Sequence, residues 1–487
     1  MTARTLGDLC TALQREGLLI DAPATLPAVS GVTTDSRVVT PGVVYVAVRG
    51  SQADGHRFVP EAVRRGAAAL VVEQEVGSSL PEVRVVDSRR AALTLGRHWY
   101  GDPGSRLTLV GITGTNGKTT TTALVRHLLN ASSGAGSIGT LGAFDGRGVP
   151  VESTAGSLTT PGPIDLQATL AGMLERGVAT VAMETSSHSL DQGRLDGLGF
   201  AAGVFTNLTR DHLDYHGTME SYLAAKLRLD ALLGLEGIQV VNADDPAWGA
   251  LPASHRRITF GFGPAAEVRA VEMQLHHAGT TFRLTTPLGE GTVRLPLLGE
   301  FNVANALGAA ACAIGLRRPL GEVCQRLEGA PQVPGRMERL AEHPAVVLRD
   351  YAHTPDALQR ALAALRPLTP GRLIVVFGCG GDRDRGKRPV MGRIAATMAD
   401  LAIVTSDNPR TENPDSIIAD VERGMGSVAH GREADRRAAI AAALAAAGPK
   451  DTVLLAGKGH ETYQVLGTEK VPFDEAVIVR ELIGSRP

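Results

Sequence analysis

The stretch with the most chemical content is Val110–Leu129, VGITGTNGKTTTTALVRHLL. An apolar run before it, Leu107–Thr113, reads as a buried strand. A turn follows, Gly114-Thr115-Asn116-Gly117, and then Lys118 and four threonines enter a helix. Successive backbone N–H groups in such a turn, backed by a helix N-terminus, make a cradle for phosphate oxygens. Lys118 would bring a point charge to the outer phosphates, and the Thr119 hydroxyl suits a magnesium ion's coordination shell. The usual nucleotide-loop pattern, G-x-x-x-x-G-K-[ST], wants glycine where this chain has Ile112; Gly111 lies one residue early. The order of strand, loop, lysine and threonine still points to ATP, held by Gly114, Thr115, Asn116, Gly117, Lys118, Thr119 and Thr120.

Further downstream, the strand-like run Val178–Ser187 ends in Glu184, Ser186, Ser187 and His188. Ligands of open α/β sheets gather at the carboxyl ends of strands. An acid there, beside a phosphate loop, stands where P-loop enzymes keep their second magnesium-holding group. The strand VFTNL then leads to Thr209, Asp211, His212, Asp214 and His216, dense enough for a polar active-site floor or a metal shell. Lys226, in a helix predicted over Tyr222–Leu233, reads by spacing alone as a solvated helix lysine. Asn302 and Asn305 are three apart on a small-residue helix, Phe301–Leu316, and share a face suited to a base edge or ribose.

The chain must supply elements that place these groups. Its 487 residues imply two to four domains, and 43% hydrophobic with 21% charged residues describes a globular protein. A formal charge of −2 carries no footprint of nucleic acid or of an anionic membrane. The first residues are charged throughout and lack a signal peptide's apolar core, and no apolar stretch reaches membrane-spanning length. Four scattered cysteines, Cys10, Cys312, Cys324 and Cys379, form no C-x-x-C pair, which argues against zinc sites and a disulfide framework. A cytoplasmic protein, without nucleic-acid or membrane partners, is the expectation.

Residues 1–104 read as a small α/β unit with strands at Val43–Val48, Ala68–Glu73 and Val83–Asp87, and an amphipathic helix over GHRFVPEAVRRGA. The breaker cluster Tyr100–Ser105 closes it. Residues 105–333 alternate strand and helix like a parallel sheet with crossover helices, and include an antiparallel excursion over Val268–Leu298. Val333-Pro334-Gly335-Arg336 opens residues 334–487, a second α/β pattern with polar strand ends at Asp350–His353, Gly378–Arg388, Asp407–Arg410 and Gly457–Glu461. Gly457-Lys458-Gly459-His460-Glu461 lacks the spacing and the Ser/Thr of a phosphate loop. Ala438–Gly448 is an alanine-rich helix closed by its glycine.

In order, TTDSR, GTNGKTT, TTPG, ETSSH, NLTRDHLDYH, AAK, FNVANALGA, PGRME, DYAHTPD, GCGGDRDRGKRP, DNPR and AGKGHE resemble the Mur ligases. These are ATP-dependent, amino-acid-adding enzymes of peptidoglycan precursor synthesis in cell-wall biogenesis. The resemblance covers nearly the whole chain and is greatest to the branch adding the third peptide residue. It implies an α/β fold of three domains: an N-terminal UDP-sugar-binding domain (1–104), a central P-loop parallel-sheet ATPase domain (105–333) and a C-terminal Rossmann-like, amino-acid-binding domain (334–487). It also implies a monomer whose domains close around substrates.

The implied reaction activates the D-glutamate γ-carboxylate of UDP-N-acetylmuramoyl-L-Ala-D-Glu as an acyl phosphate, which the incoming amine displaces. Lys118, Glu184, His212 and Lys226 are the implied catalytic group. Thr119, Glu184, His212 and Lys226 would hold Mg2+, with Lys226 carbamylated by carbon dioxide. Asn302, Arg336, Asp350 and His353 match ATP-framing motifs. Thr34, Ser36, Ser51, Gln52 and Ala53 match contacts to the uridine nucleotide sugar, and Thr159, Thr160, Ser186, Gln192 and Arg194 match the muramoyl-dipeptide side. Arg383, Asp407, Asn408, Pro409, Arg410, Gly457 and Glu461 match the pocket of the meso-diaminopimelate-adding branch. A guanidinium binds the far carboxylate of diaminopimelate bidentately and repels the lone cation of lysine or ornithine. Arg410 could instead pair with Glu412 on a surface turn. The competing activities are the same ligation with L-lysine or L-ornithine, a folylpolyglutamate-synthetase-like ligase, and a P-loop kinase or nucleotide switch.

Overall fold

Apolar, β-branched runs separated by amphipathic segments favour parallel sheets covered by helices on both faces. The computed structural model has that architecture and describes residues 4–50, 53–130, 134–152 and 158–484. Contacts group the chain into two compact units. One takes in the chain up to Arg269 with Thr285–Gly289 and Asn305–Val323; the other holds Ala270–Leu284, Glu290–Ala304 and the chain from Cys324 onward.

The first unit contains two large sheets. In the smaller, Leu19–Asp21, Glu82–Val85, Ala69–Val72, Val43–Val46 and Gly31–Thr33 lie side by side, parallel except for the first. Val44, Val46, Val71 and Val83 enter one apolar cluster while Tyr45, Ala47, Leu70 and Val72 enter another. This is the period-two alternation of a sheet buried on both faces. The helix predicted over GHRFVPEAVRRGA is divided into a 3-10 turn, Gly55–Phe58, and a helix, Val59–Arg64. Pro60 explains the break, because it lacks an N–H and fits only a first helical turn. At the predicted breaker cluster, Gly101 takes a left-handed φ of 73° and ends the helix Ser88–Tyr100.

The larger sheet runs Gly142–Phe144, Ala135–Gly139, Thr180–Glu184, Thr108–Thr113, Phe200–Phe205, Leu233–Asn242 and Arg256–Gly261, and Val268–Arg269 extends it. Among these first seven strands, only Gly142–Phe144 is antiparallel to its neighbour. After Thr108–Thr113 the chain adds strands on one side and then, from Phe200, on the other. The reversal opens a crevice at the carboxyl end of Thr108–Thr113, the place where such sheets bind ligands. Three adjacent strand ends therefore deliver the phosphate loop, Glu184 and Thr206-Asn207 to one spot.

In the second unit Glu338–Ala341, Val346–Asp350, Thr452–Ala456, Leu373–Phe377, Leu401–Val404 and Gly431–Arg432 form a sheet that is parallel after its first strand. A hairpin, Tyr463–Leu466 with Glu469–Pro472, follows the last long strand. The antiparallel excursion is resolved as Val268–His276, Gly279–Thr286 and Gly289–Leu295. The alanine-rich helix spans Arg436–Ala446, so its expected glycine closure is corrected: the C-cap is Ala447, in extended backbone. Among the described residues no helix is long and apolar enough to cross a membrane.

Arg436 and Glu475 form an ion pair at 2.8 Å, both side chains 0% exposed. Arg436 also donates to Ser406 O at 3.3 Å and Ala456 O at 2.9 Å, tying together two strand ends of this sheet. Arg436→Met would strand the Glu475 carboxylate without a counter-charge. We expect a loss of about 3–5 kcal/mol, read from the urea midpoint. Arg436→Met with Glu475→Leu should recover most of it, since an apolar pair replaces a buried ion pair at little cost.

Candidate functional site

The phosphate-loop site is built from the carboxyl ends of the larger sheet. Gly114 (φ 143°) and Gly117 (φ 85°) bracket the loop, and each has a reason to lack a side chain. A Cβ on Gly114 would overlap Thr206 Oγ1, and one on Gly117 would overlap Asn305 Oδ1. The neighbouring strand end holds the loop in shape: Thr115 N donates to Asn207 O (2.7 Å), Asn116 N to Asn207 Oδ1 (2.9 Å), and Thr206 Oγ1 to Asn116 O (2.7 Å). Thr119 and Thr120 are buried in the first helical turn.

Two lysines meet at this loop. Lys118 Nζ donates to Gly114 O at 2.9 Å and to Thr115 O at 2.8 Å; Lys226 Nζ donates to Gly114 O at 2.8 Å. The expectation that Lys226 is a solvated helix lysine is overturned, because it is 1% exposed. Its helix, Met219–Ala231, buries Tyr222, Ala225, Lys226 and Leu229. That spacing is a core-facing stripe, and the lysine falls within it. Burial first, and then the Lys118 charge, push the Lys226 pKa well below its ordinary 10.5. The Tyr222 ring lies 4.3 Å from Nζ, while Tyr222 OH donates to Thr115 Oγ1 at 3.2 Å. Tyr222 escaped the sequence reading because an aromatic at helical spacing looks like ordinary core.

Glu184, 1% exposed, accepts from Thr140 N at 2.8 Å and Thr140 Oγ1 at 3.1 Å. The polar group after VFTNL becomes an aromatic cluster in which His188 lies 4.9 Å from His212, 4.2 Å from Tyr215 and 5.5 Å from His216. Desolvation pushes all three imidazoles down, His188 to about 4, so each favours the neutral form. Among the described residues, no three His, Cys, Asp or Glu side chains converge as a metal shell.

Beside it, Thr160 Oγ1 donates to Glu184 O (2.8 Å) and lies 3.3 Å from Ser186 Oγ, and Arg194 Nη1 donates to Thr160 O (3.0 Å). Arg194 is braced by Gln192 Oε1, and Gln192 in turn donates to Tyr215 OH at 3.2 Å. Thr159 Oγ1 lies 3.3 Å from Thr140 Oγ1. Thr159, Thr160, Ser186, Gln192 and Arg194 are thus gathered around the Glu184 strand end. In the smaller sheet, Ser36 Oγ donates to Glu61 at 2.7 Å, Thr34 is half-buried and Ala53 is exposed. Ser51 and Gln52 lie outside the described residues.

The second unit carries its own polar site. Arg410 has a left-handed φ of 52°; its N–H donates to Val465 O and its Nη1 to Gly381 O at 2.8 Å. The alternative pairing with Glu412 is not formed. Glu412 instead accepts from Arg388 (2.8 Å) and from Asp382 N (2.6 Å), and the Arg388 hydrogen bond is the largest cause holding its pKa down to about 2. Asp407, Asn408 and Glu461 surround the ammonium of Lys458, a residue assigned no role from sequence. Gly457 sits against Asp407, Arg383 is exposed, and Pro409 packs on Gly381.

Arg336 lies 4.9 Å over the Tyr351 ring, which lies 4.5 Å from His353 and 5.2 Å from His460. Asp350, raised to about 6 chiefly by desolvation, accepts from Met337 N at 2.8 Å. Asn302 is buried and donates to Leu298 O. Cys379 is buried in the core, and burial pushes its thiol up to about 11.

Three family models match the chain: "Mur ligase family, catalytic domain" over residues 28–102, "Mur ligase middle domain" over 112–313, and "Mur ligase, glutamate ligase domain" over 335–459. A UDP-N-acetylmuramoyl-L-alanyl-D-glutamate–2,6-diaminopimelate ligase of Gloeobacter violaceus is 45% identical over 466 residues, 94% of each chain. One of the same name from Synechococcus elongatus is 46% identical over 474 residues, 94% of this chain and 95% of its own. A solved structure of a ligase with that name superposes with a TM-score of 0.68 at 33% identity, covering 99% of both chains.

Proposed function

This chain belongs to the Mur ligase family, and on that premise we propose that it is the ATP-dependent ligase that adds meso-2,6-diaminopimelate to UDP-N-acetylmuramoyl-L-Ala-D-Glu. The D-glutamate γ-carboxylate attacks the γ-phosphorus of ATP; the bond to the ADP oxygen breaks and an acyl phosphate forms. The diaminopimelate amine then adds to the acyl carbon, loses its proton and expels phosphate, leaving an amide. The observation that carries this reading is the convergence of Lys118, Lys226 and Glu184 on adjacent strand ends around the phosphate loop.

Little covalent work falls to the protein, because phosphoryl transfer is dominated by positioning and charge. The loop from Gly114 to Thr120 cradles the phosphates, and Lys118 exchanges its two carbonyl partners for phosphate oxygens. Arg194 and Gln192, braced together, orient the muramoyl dipeptide with Thr159, Thr160 and Ser186. Thr34, Ser36, Ser51, Gln52 and Ala53 take the uridine nucleotide sugar, and Asn302, Arg336, Asp350 and His353 take the adenine nucleotide. Arg383, Asp407, Asn408, Pro409, Arg410, Gly457 and Glu461 form the diaminopimelate pocket.

Lys226 is the natural site of carbamylation. Its buried amine, disfavoured as an ammonium beside Lys118, can attack carbon dioxide and release a proton, turning a cation into a carboxylate. With that carbamate, Lys226 would join the Glu184 carboxylate and the Thr119 hydroxyl as the oxygen donors that Mg2+ prefers, and the His212 imidazole would be the remaining candidate ligand. When bound, the ion would draw charge from the transferring phosphoryl group. We further propose domains at 1–104, 105–333 and 334–487, and a cytoplasmic monomer.

The test is phosphate release with ATP, magnesium and the UDP-muramoyl dipeptide, offering diaminopimelate, lysine and ornithine separately and weighing each product. Turnover and a tripeptide-nucleotide mass with diaminopimelate alone are expected. Turnover only with lysine or ornithine overturns the pocket assignment. Phosphate release that ignores all three amino acids overturns ligation.

A further inference from the structure

Lys458 lies in Gly457–Glu461, the motif that is no phosphate loop; its neighbours Gly457 and Glu461 belong to the diaminopimelate pocket, but the reaction above leaves Lys458 itself without a role. Its side chain is 0% exposed. Nζ lies 3.0 Å from Asn408 Oδ1, 3.3 Å from Glu461 Oε2 and 3.5 Å from Asp407 Oδ1, so three pocket residues converge on one cation. Those partners are also linked to one another. Asn408 Nδ2 donates to Glu461 Oε2 at 2.9 Å, and Asn408 Oδ1 accepts from Val465 N at 2.9 Å. Val465 O then accepts from Arg410 N at 3.1 Å, and Gly467 N donates to Arg410 O at 2.8 Å. The ammonium is thus a node joining Glu461 to the hairpin that holds Arg410 in its left-handed conformation.

A lysine is rarely buried unless its charge is matched. Within this group, two carboxylates and one ammonium leave one negative charge for an ammonium of the incoming amino acid, while the Arg410 guanidinium is left for its carboxylate. We propose that Lys458 is a positioning residue that sets both the charge of the amino-acid pocket and the register of Arg410, so selecting an amino acid whose far end pairs its ammonium with a carboxylate. The inference rests on the diaminopimelate-pocket reading given above. Without Lys458, Asp407 and Glu461 would present two uncompensated charges. The pocket would then favour a far end carrying an ammonium alone, because specificity follows the difference in charge complementarity.

Lys458→Gln replaces the ammonium with a neutral N–H donor; Lys458→Arg keeps the charge. Diaminopimelate and lysine are offered in direct competition, and the tripeptide nucleotides are weighed. For Lys458→Gln, the ratio of diaminopimelate to lysine product should fall at least about tenfold. For Lys458→Arg, the ratio should stay within about twofold of the parent even where kcat falls. Thermal melting and ATP-analogue binding monitor the fold. Equal loss of both products in Lys458→Gln, or its failure to melt cooperatively, would make Lys458 a structural cation only and overturn the proposal. A parent protein that makes no diaminopimelate product would fail the pocket reading itself, a result distinct from an active parent with an unmoved ratio.

Discussion

Lys226→Met should lower amino-acid-dependent phosphate release by about three orders of magnitude, the scale of losing one preorganised charge at a transition state. Methionine fills the volume beside Tyr222 and Leu229, so the melting temperature and ATP-analogue binding should hold near the parent's. Isotopically labelled bicarbonate should give a carbamate signal in the parent and none in the variant. An active Lys226→Met protein, or a parent without the signal, would remove the carbamate from the mechanism.

The pH dependence follows from the same burial. Only the neutral amine takes up carbon dioxide, and the Lys226 pKa is pushed well below 10.5 by desolvation and then by Lys118. Carbamate should therefore survive to lower pH than on an exposed lysine. It should vanish as pH falls through the depressed value, and added bicarbonate should shift the acid limb of the activity profile downward. Stability carries the matching sign. Below 10.5 the unfolded chain binds a proton that the folded amine resists, so this lysine costs more stability as pH drops toward its folded pKa.

Arg410→Ala is the second large effect. A site built around a guanidinium–carboxylate pair loses that pair together with its desolvated partner, and kcat/KM for diaminopimelate should fall by roughly a thousandfold. Lysine, lacking the far carboxylate, should lose little or gain. Arg410→Lys should rescue poorly, since a point charge cannot make the planar two-bond contact. The hairpin bonds from Val465 and Gly467 hold the Arg410 backbone, so loop geometry should survive truncation. If diaminopimelate and lysine fell together in Arg410→Ala, the guanidinium would be a loop strut and not a reader of the far carboxylate.

These two residues also mark how far the sequence could be read. Arg410 was assigned by motif, yet its rival pairing with Glu412 could be settled only in three dimensions. Arg388 and Asp382, distant by turns of the chain, claim that carboxylate. Lys226 was legible in principle, since Tyr222, Ala225, Lys226 and Leu229 follow the spacing of a buried stripe. A lysine in such a stripe reads as solvated because its charge opposes burial. What overrides that expectation is a neighbour nowhere near it in sequence, the loop carbonyl of Gly114.

By itself the sequence determined the α/β layering, the phosphate loop and the strand ends where chemistry would gather. Each depends on local periodicity, on glycines at left-handed turns and on polar clusters after apolar runs. Only the tertiary structure decided which charges are matched. Lys458 at the centre of Asp407, Asn408 and Glu461, Arg436 against Glu475, and Tyr222 between Thr115 and Lys226 all join residues that a linear reading treats separately. The physical reason is desolvation. A charge's behaviour depends on what has been removed from around it and what faces it, and both are properties of the packed chain.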